Sequence, residues 1–178
     1  MNKQGIWMVG AAAVLAVSCG SSKTASTTGT GMKATANIES RSGSKASGKA
    51  EFTELASGGT RVQVWIENAT PGTHGLHLHE KGDCSAPDAT SAGGHFNAAG
   101  NPHAAPTDAA RHNGDLGNIE IGGDGKGHLD VTSDLLTVGP GPNSVKGKAV
   151  VFHEKADDMK TDPAGAAGNR IACGLIKK

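Results

Sequence analysis

The sequence His74-Gly75-Leu76-His77-Leu78-His79-Glu80 opens a stretch that ends at Asp115 and holds six of the chain's eight histidines. Apolar and polar residues alternate within it, which indicates a β-strand. Side chains two residues apart on a strand share a face, so His77 and His79 project together while Leu76 and Leu78 project to the opposite side. Two imidazoles on one face of a strand supply half of a metal site.

Residues 95–115 are rich in Gly, Asn, Pro and Ala and show no sustained period, which predicts a long loop. Loops of this length inside a compact domain are usually functional, and a loop without an apolar pattern needs something else to order it. A closed tetrahedral zinc shell of three imidazoles and one carboxylate would do so. The predicted zinc ligands are His95, His103, His112 and Asp115.

The remaining imidazoles suit a second metal. His77, His79 and His153 would bind copper, because nitrogen ligands in a tetragonal arrangement favour Cu(II). His153 follows an apolar run that is typical of a strand. The sequence therefore predicts adjacent copper and zinc sites.

The rest of the chain indicates an all-β domain. Short alternating runs are separated by Gly-rich turns, a pattern of sandwiches and barrels, and no helical period is evident. Tyrosine is absent and only five aromatic residues are present, so Val, Ile, Leu and Ala must fill the core. The eight predicted strands cover residues 34–39, 49–55, 61–67, 75–79, 116–121, 127–132, 148–153 and 172–176.

Five motifs, in order and with family-like spacing, resemble those of copper/zinc superoxide dismutase. They are GLHLHE at 75–80, GGHFN at 93–97, RHNGDLGN at 111–118, HEKADD at 153–158 and GNRIACG at 168–174. The resemblance covers roughly residues 33–178. It implies an eight-stranded Greek-key β-barrel or sandwich with long metal-binding and electrostatic loops. It also implies that His95 bridges both metals, which completes a copper set of His77, His79, His95 and His153.

The resemblance implies dismutation of superoxide to oxygen and hydrogen peroxide. Copper would cycle between Cu(II) and Cu(I), since zinc has no redox chemistry. His95 would take part in two ways, as a ligand whose bond to copper can break and as a group that takes up and releases a proton. Arg170 would guide the anion, because a guanidinium is always charged and presents several donors. The alternative for Arg170 is a surface arginine paired with a carboxylate.

Two residues are expected to support the ligands. By resemblance, Asp157 hydrogen-bonds one copper histidine and one zinc histidine, His77 and His103, and fixes both rings. The alternative is a solvated acid beside Asp158. His74 is expected to pack and hydrogen-bond near the site rather than bind a metal, because the ligand count is already complete.

Residues 1–18 are predicted to be a signal peptide, with Lys3 before an apolar run that is shorter than the about 20 residues of a membrane span. Ala16-Val17-Ser18-Cys19 resembles a bacterial lipobox, which implies lipidation of Cys19. The alternative is a plain signal peptide cleaved nearby. Residues 19–31 would then be a lipidated cysteine and a flexible Ser/Thr/Gly tether, and residues 32–178 the dismutase domain.

The expected location is therefore the bacterial cell envelope, with the protein anchored by lipid to the outer membrane and facing the periplasm. With Cys19 lipidated, the other two cysteines, Cys84 and Cys173, are expected to form one disulfide in an exported protein. Two free thiols are the alternative.

The charge of the chain limits its partners. Acidic and basic residues balance at 17 each, so no basic field favours nucleic acid. The expected partners are superoxide and, through the lipid, a membrane; a homodimer remains open. A non-catalytic copper/zinc-binding envelope lipoprotein on the same fold is the main alternative, although it would not need Arg170. A mononuclear zinc hydrolase is disfavoured, because no carboxylate is evidently poised as a base.

Overall fold

The computed structural model describes Met1 and residues 29–177. The predicted signal peptide, Cys19 and most of the predicted tether lie outside these residues. Among the residues that are described, no helix has the length and apolar character needed to cross a membrane.

The described chain forms eight strands and one short 3-10 helix, Thr90–Ala92. The prediction of an all-β fold with eight strands is confirmed. The strands are β1 Gly29–Ser40, β2 Ser47–Leu55, β3 Thr60–Glu67, β4 Gly72–His79, β5 Asp115–Ile121, β6 Gly127–Ser133, β7 Ala149–His153 and β8 Arg170–Leu175.

Two strand boundaries differ from the prediction in an informative way. Strand β1 begins at Gly29, within the predicted tether, because Gly29 pairs with Leu55 of β2 across a bulge. Strand β8 begins at Arg170, two residues earlier than predicted, because Arg170 pairs with His153 of β7 across another bulge. The second bulge brings a predicted copper ligand and the predicted anion-guiding residue to the same end of one strand pair.

All strand pairs are antiparallel, and the sheet runs in the order β5-β4-β7-β8-β1-β2-β3-β6. The end strands β5 and β6 contact each other, which nearly closes the sheet into a barrel with the order of a Greek key. Gly127 of β6 permits this seam, because a Cβ there would lie 2.6 Å from the carbonyl oxygen of Glu120 on β5. The barrel predicted by resemblance is confirmed.

Strand β4 is buried on both faces, and this places the site. Leu76 and Leu78 point into the barrel core and are fully buried. His77 and His79 point the other way, yet they are 0% and 1% exposed. Covering a polar face so completely requires the long loops after β4 and β7, which lie over the outside of the barrel. Each buried core leucine stabilises the frame under the histidines by about 1.5–3 kcal/mol.

Candidate metal centre

Four buried histidines converge on the outer face of the barrel. His77 and His79 come from β4, His153 ends β7, and His95 is brought in by an isolated bridge to His79. One ring nitrogen of each lies within 4.8 Å of the others. These four residues, the copper cluster, are the predicted copper ligands.

The nitrogens that face this cluster are unsatisfied. Among the described residues, four buried side-chain atoms lack a hydrogen-bond partner, namely His77 Nδ1, His79 Nε2, His95 Nε2 and His153 Nε2. A buried polar atom without a partner costs about 1–3 kcal/mol, so four together at one point would be unfavourable unless they bind something. Four imidazole lone pairs are a donor set that suits copper.

The other ring nitrogen of each of these histidines is held by a hydrogen bond. Nδ1 of His79 lies 2.9 Å from the carbonyl oxygen of Gly93, and Nδ1 of His153 lies 3.4 Å from that of Gly168. Because a carbonyl oxygen only accepts, these rings carry their proton on Nδ1 and present a lone pair at Nε2. The loop carbonyls thus select the tautomer that binds a metal.

A second cluster, the zinc cluster, consists of His95, His103 and His112 around Asp115, the first residue of β5. Its Oδ1 lies 2.9 Å from Nδ1 of His95, 3.0 Å from Nδ1 of His103 and 3.2 Å from Nδ1 of His112. Its Oδ2 accepts backbone N–H bonds from His112 and Ala104. One carboxylate facing three Nδ1 atoms is a donor set that suits tetrahedral zinc. His95 belongs to both clusters, with Nδ1 in this one and Nε2 in the other.

Asp157 links the two clusters. Its Oδ2 lies 2.8 Å from Nε2 of His77, and its Oδ1 lies 2.9 Å from Nε2 of His103. The Asp157 side chain is 0% exposed, so it is not the solvated acid considered as the alternative. A shared carboxylate orients both rings and makes each a stronger ligand.

Asn118 of β5 fixes Asp157, and sequence reasoning gave it no role. Its amide donates to the Asp157 carbonyl at 2.9 Å, and its Oδ1 accepts the Asp157 backbone N–H at 2.7 Å. Asparagine is depleted in strands, which is the signal that could have marked this position.

His74 lies beside the copper cluster without joining it. Its Nδ1 is 2.9 Å from the carbonyl oxygen of His153, and its Nε2 is 2.9 Å from that of Thr70. Both nitrogens therefore face backbone oxygens. The ring braces the backbone of His153 and has no lone pair directed at a metal.

Arg170 lies half-buried at the start of β8. Its Nη1 donates to the Ala89 carbonyl at 2.9 Å. Ala89 is fully buried and adopts a left-handed conformation, with φ of 58°. The predicted disulfide is confirmed: Cys84 and Cys173 are bonded, and it ties the loop that carries Ala89 to the strand that carries Arg170.

Burial sets the protonation of the copper cluster. It lowers the pKa of His77 and His79 well below the ordinary value, and the neighbouring His95 lowers both further. Burial likewise lowers the pKa of His153 to about 4. His103 behaves differently, because the carboxylates of Asp157 and Asp115 outweigh its burial and raise its pKa. At neutral pH the copper cluster is therefore neutral and available to a cation.

Comparisons with known proteins agree with this geometry. The sequence model of the family described as copper/zinc superoxide dismutase (SODC) matches residues 46–176. A crystal structure of the clock protein EA4 is similar, with a TM-score of 0.74 and 39% identity over 82% of this chain and 93% of that one. A double mutant of a SOD-like protein from Bacillus subtilis is also similar, with a TM-score of 0.72 and 35% identity over 79% and 95%.

Proposed function

The chain belongs to the copper/zinc superoxide dismutase family, and from this premise we propose that it catalyses the dismutation of superoxide. In this reaction two superoxide anions and two protons give one oxygen and one hydrogen peroxide. The observation that carries the proposal is the set of four buried, unpartnered imidazole nitrogens beside Arg170.

The residues present fit both metals. His77, His79, His95 and His153 would hold copper, and His95, His103, His112 and Asp115 would hold zinc. When bound, copper supplies the redox chemistry of the reaction, exchanging one electron with each superoxide, whereas zinc has none. Copper and zinc are thus the proposed cofactors, with His95 as the shared ligand.

His95 is the proposed site of proton transfer. Asp115 holds its Nδ1, so Nε2 is the nitrogen that can carry a proton toward the reacting anion. The His95 side chain is 2% exposed, and Nε2 is buried without a hydrogen-bond partner, which leaves it free to exchange a proton with an anion held at the copper cluster.

Arg170 is the proposed anion-binding residue. Within residues 29–177 its hydrogen bond goes to Ala89, and the other donors of the guanidinium fork are left for a small anion. Its charge acts on His79 and His153 and helps to lower the pKa of each, after burial and the effect of His95. A fixed positive charge beside the copper cluster would attract superoxide and orient it.

We further propose that the chain is an envelope lipoprotein, anchored through Cys19 and held off the outer membrane by its tether. The support is the lipobox-like Ala16-Val17-Ser18-Cys19. The disulfide is consistent with an oxidising compartment such as the periplasm. A homodimer stays an open proposal.

A non-catalytic metal-binding protein on the same fold would share both clusters, and one experiment separates the two functions. Metal content and superoxide-dependent activity are measured together on the purified full chain loaded with copper and zinc. One copper and one zinc per chain with rapid dismutation supports the enzyme. Full occupancy without turnover would instead favour the metal-binding protein.

A further inference from the structure

The turn that receives Arg170 also carries an exposed carboxylate, Asp88, which has no part in the function proposed above. Asp88 directly precedes Ala89, whose carbonyl accepts the hydrogen bond from Arg170 at 2.9 Å. Consecutive Cα atoms lie about 3.8 Å apart, so the carboxylate and the guanidinium share one small region of the surface.

The Asp88 carboxylate is held in place. Its Oδ1 accepts the backbone N–H of Thr90 at 3.0 Å and the hydroxyl of Thr90 at 2.7 Å. These two bonds lower the pKa of Asp88, and the charge of Arg170 lowers it further. The group is therefore a fixed negative charge at neutral pH.

Asp88 acts on Arg170 through its field. Burial lowers the pKa of Arg170, and the charge of Asp88 opposes this. The hydrogen bond of Arg170 goes to the Ala89 carbonyl and not to the carboxylate. The guanidinium thus stays available to an anion, which must approach within the field of Asp88.

A fixed negative charge repels an anion in proportion to the anion's own charge. Resting on the proposed function, in which Arg170 binds superoxide, we propose that Asp88 determines specificity at this site: it disfavours divalent anions such as phosphate relative to a small monovalent anion. Superoxide carries one negative charge and incurs the smaller penalty. A competing dianion would incur about twice the penalty in free energy.

The size of the effect follows from Coulomb's law in a water-like dielectric. For charges several ångströms apart, removing the Asp88 charge should tighten a monovalent anion roughly two- to three-fold at low ionic strength. A divalent anion should tighten by roughly the square of that factor, about four- to nine-fold. Both effects should fade as salt is raised, because the screening length shortens to about 3 Å at 1 M.

The test compares Asp88→Asn with the unchanged protein. Asparagine keeps the side-chain oxygen that accepts the Thr90 bonds and removes only the charge. The full chain, carrying zinc and reduced copper and kept free of oxygen, is titrated with nitrate and with phosphate at pH 8. Binding is followed by the NMR shift of the Arg170 Nε–H, a readout independent of turnover. We expect the substitution to tighten phosphate clearly more than nitrate.

Asp83→Asn is the matched control. Asp83 is an exposed carboxylate of the same loop and caps Ser85 through its backbone N–H at 2.8 Å. Its pKa is lowered by the bonds to Ser85, with smaller effects from Ser91 and Lys81. We expect this variant to bind both anions as the unchanged protein does.

The outcomes separate the two proposals when dismutation by the unchanged protein is measured alongside. Equal tightening of nitrate and phosphate, no tightening, or the same response from Asp83→Asn would each refute the role of Asp88. An inactive unchanged protein in which Asp88→Asn still gives the graded response would refute the proposed function and leave the anion selectivity standing.

Discussion

Gly165 packs against Asp157, the residue that links the two histidine clusters. A Cβ at this position would overlap Oδ1 of Asp157 and lie 2.8 Å from Nε2 of His103. Its φ of 63° is also a conformation that side chains disfavour. The space beside the hydrogen bond between Asp157 and His103 is therefore too small for any side chain at position 165.

Gly165→Ala should therefore weaken both metal sites. The added methyl must displace the Asp157 carboxylate, which orients His77 and His103, and loss of such outer support typically lowers metal affinity 10- to 100-fold. Competition against a chelator measures the loss for zinc and copper. Gly100→Ala is the control, because Gly100 has a similar φ of 70° but open space around it. Equal losses in the two variants would show that backbone strain, not Asp157, is responsible.

Arg170→Ala should lower the dismutation rate at unchanged copper content, because Arg170 lies beside the copper cluster and is not one of its ligands. Charge attraction in a cleft accelerates association by about 10-fold or more, which sets the expected loss. The measurement is superoxide decay together with metal analysis. Arg61→Ala is the control, since Arg61 is paired with Asp130 on another part of the barrel. Equal activity in the Arg170 variant would remove this arginine from the mechanism.

Among the elements, β4 and β8 show what the sequence could and could not predict. Alternation in β4 indicated which residues face the core, since Leu76 and Leu78 are apolar. It could not indicate that His77 and His79 would be fully buried, because the covering loops carry no periodic pattern. The start of β8 was missed, since its bulge against β7 depends on register, which a single strand's sequence does not encode.

The positions of the site were predictable where one residue type has one chemistry. Histidines two residues apart on a strand, together with a histidine-rich loop, predicted the members of the clusters. The partners that act through backbone groups, such as Ala89 beneath Arg170, were not predictable. Any residue can supply a carbonyl oxygen, so the sequence carries no signal for it.

We expect bound zinc to order the loop over residues 96–114. It contains no strand, and its buried residues His103 and His112 turn toward Asp115. His112→Ala should lower zinc content and loosen this loop more than it affects copper, because His112 belongs only to the zinc cluster. Metal analysis and hydrogen exchange of the loop amides measure both effects. An unchanged zinc stoichiometry would refute the division of ligands between the metals.

At the scale of the whole molecule, a neutral histidine cluster is built into a stable barrel, so folding is coupled to protonation. The unfolded chain takes up protons on its histidines below about pH 6.5. The folded chain resists this at His77, His79 and His153, because their folded pKa values are lowered. His103, with its raised pKa, opposes the trend and offsets part of it.

The metal-free protein should therefore lose stability as the pH falls from about 6.5 to 4. The sign follows from proton uptake: the unfolded state binds more protons in this range, so acid favours it. For His153, a shift to about 4 corresponds to a loss on the order of 3 kcal/mol. Urea unfolding between pH 7.5 and 4.5 measures the slope, and bound copper should not flatten it, because copper keeps the folded rings deprotonated while the unfolded chain still takes up protons. His153→Gln should flatten the slope, because it removes one of the buried histidines. His128→Gln, at an exposed position, should leave the slope unchanged. Equal slopes in both variants would mean that the buried cluster does not govern acid stability.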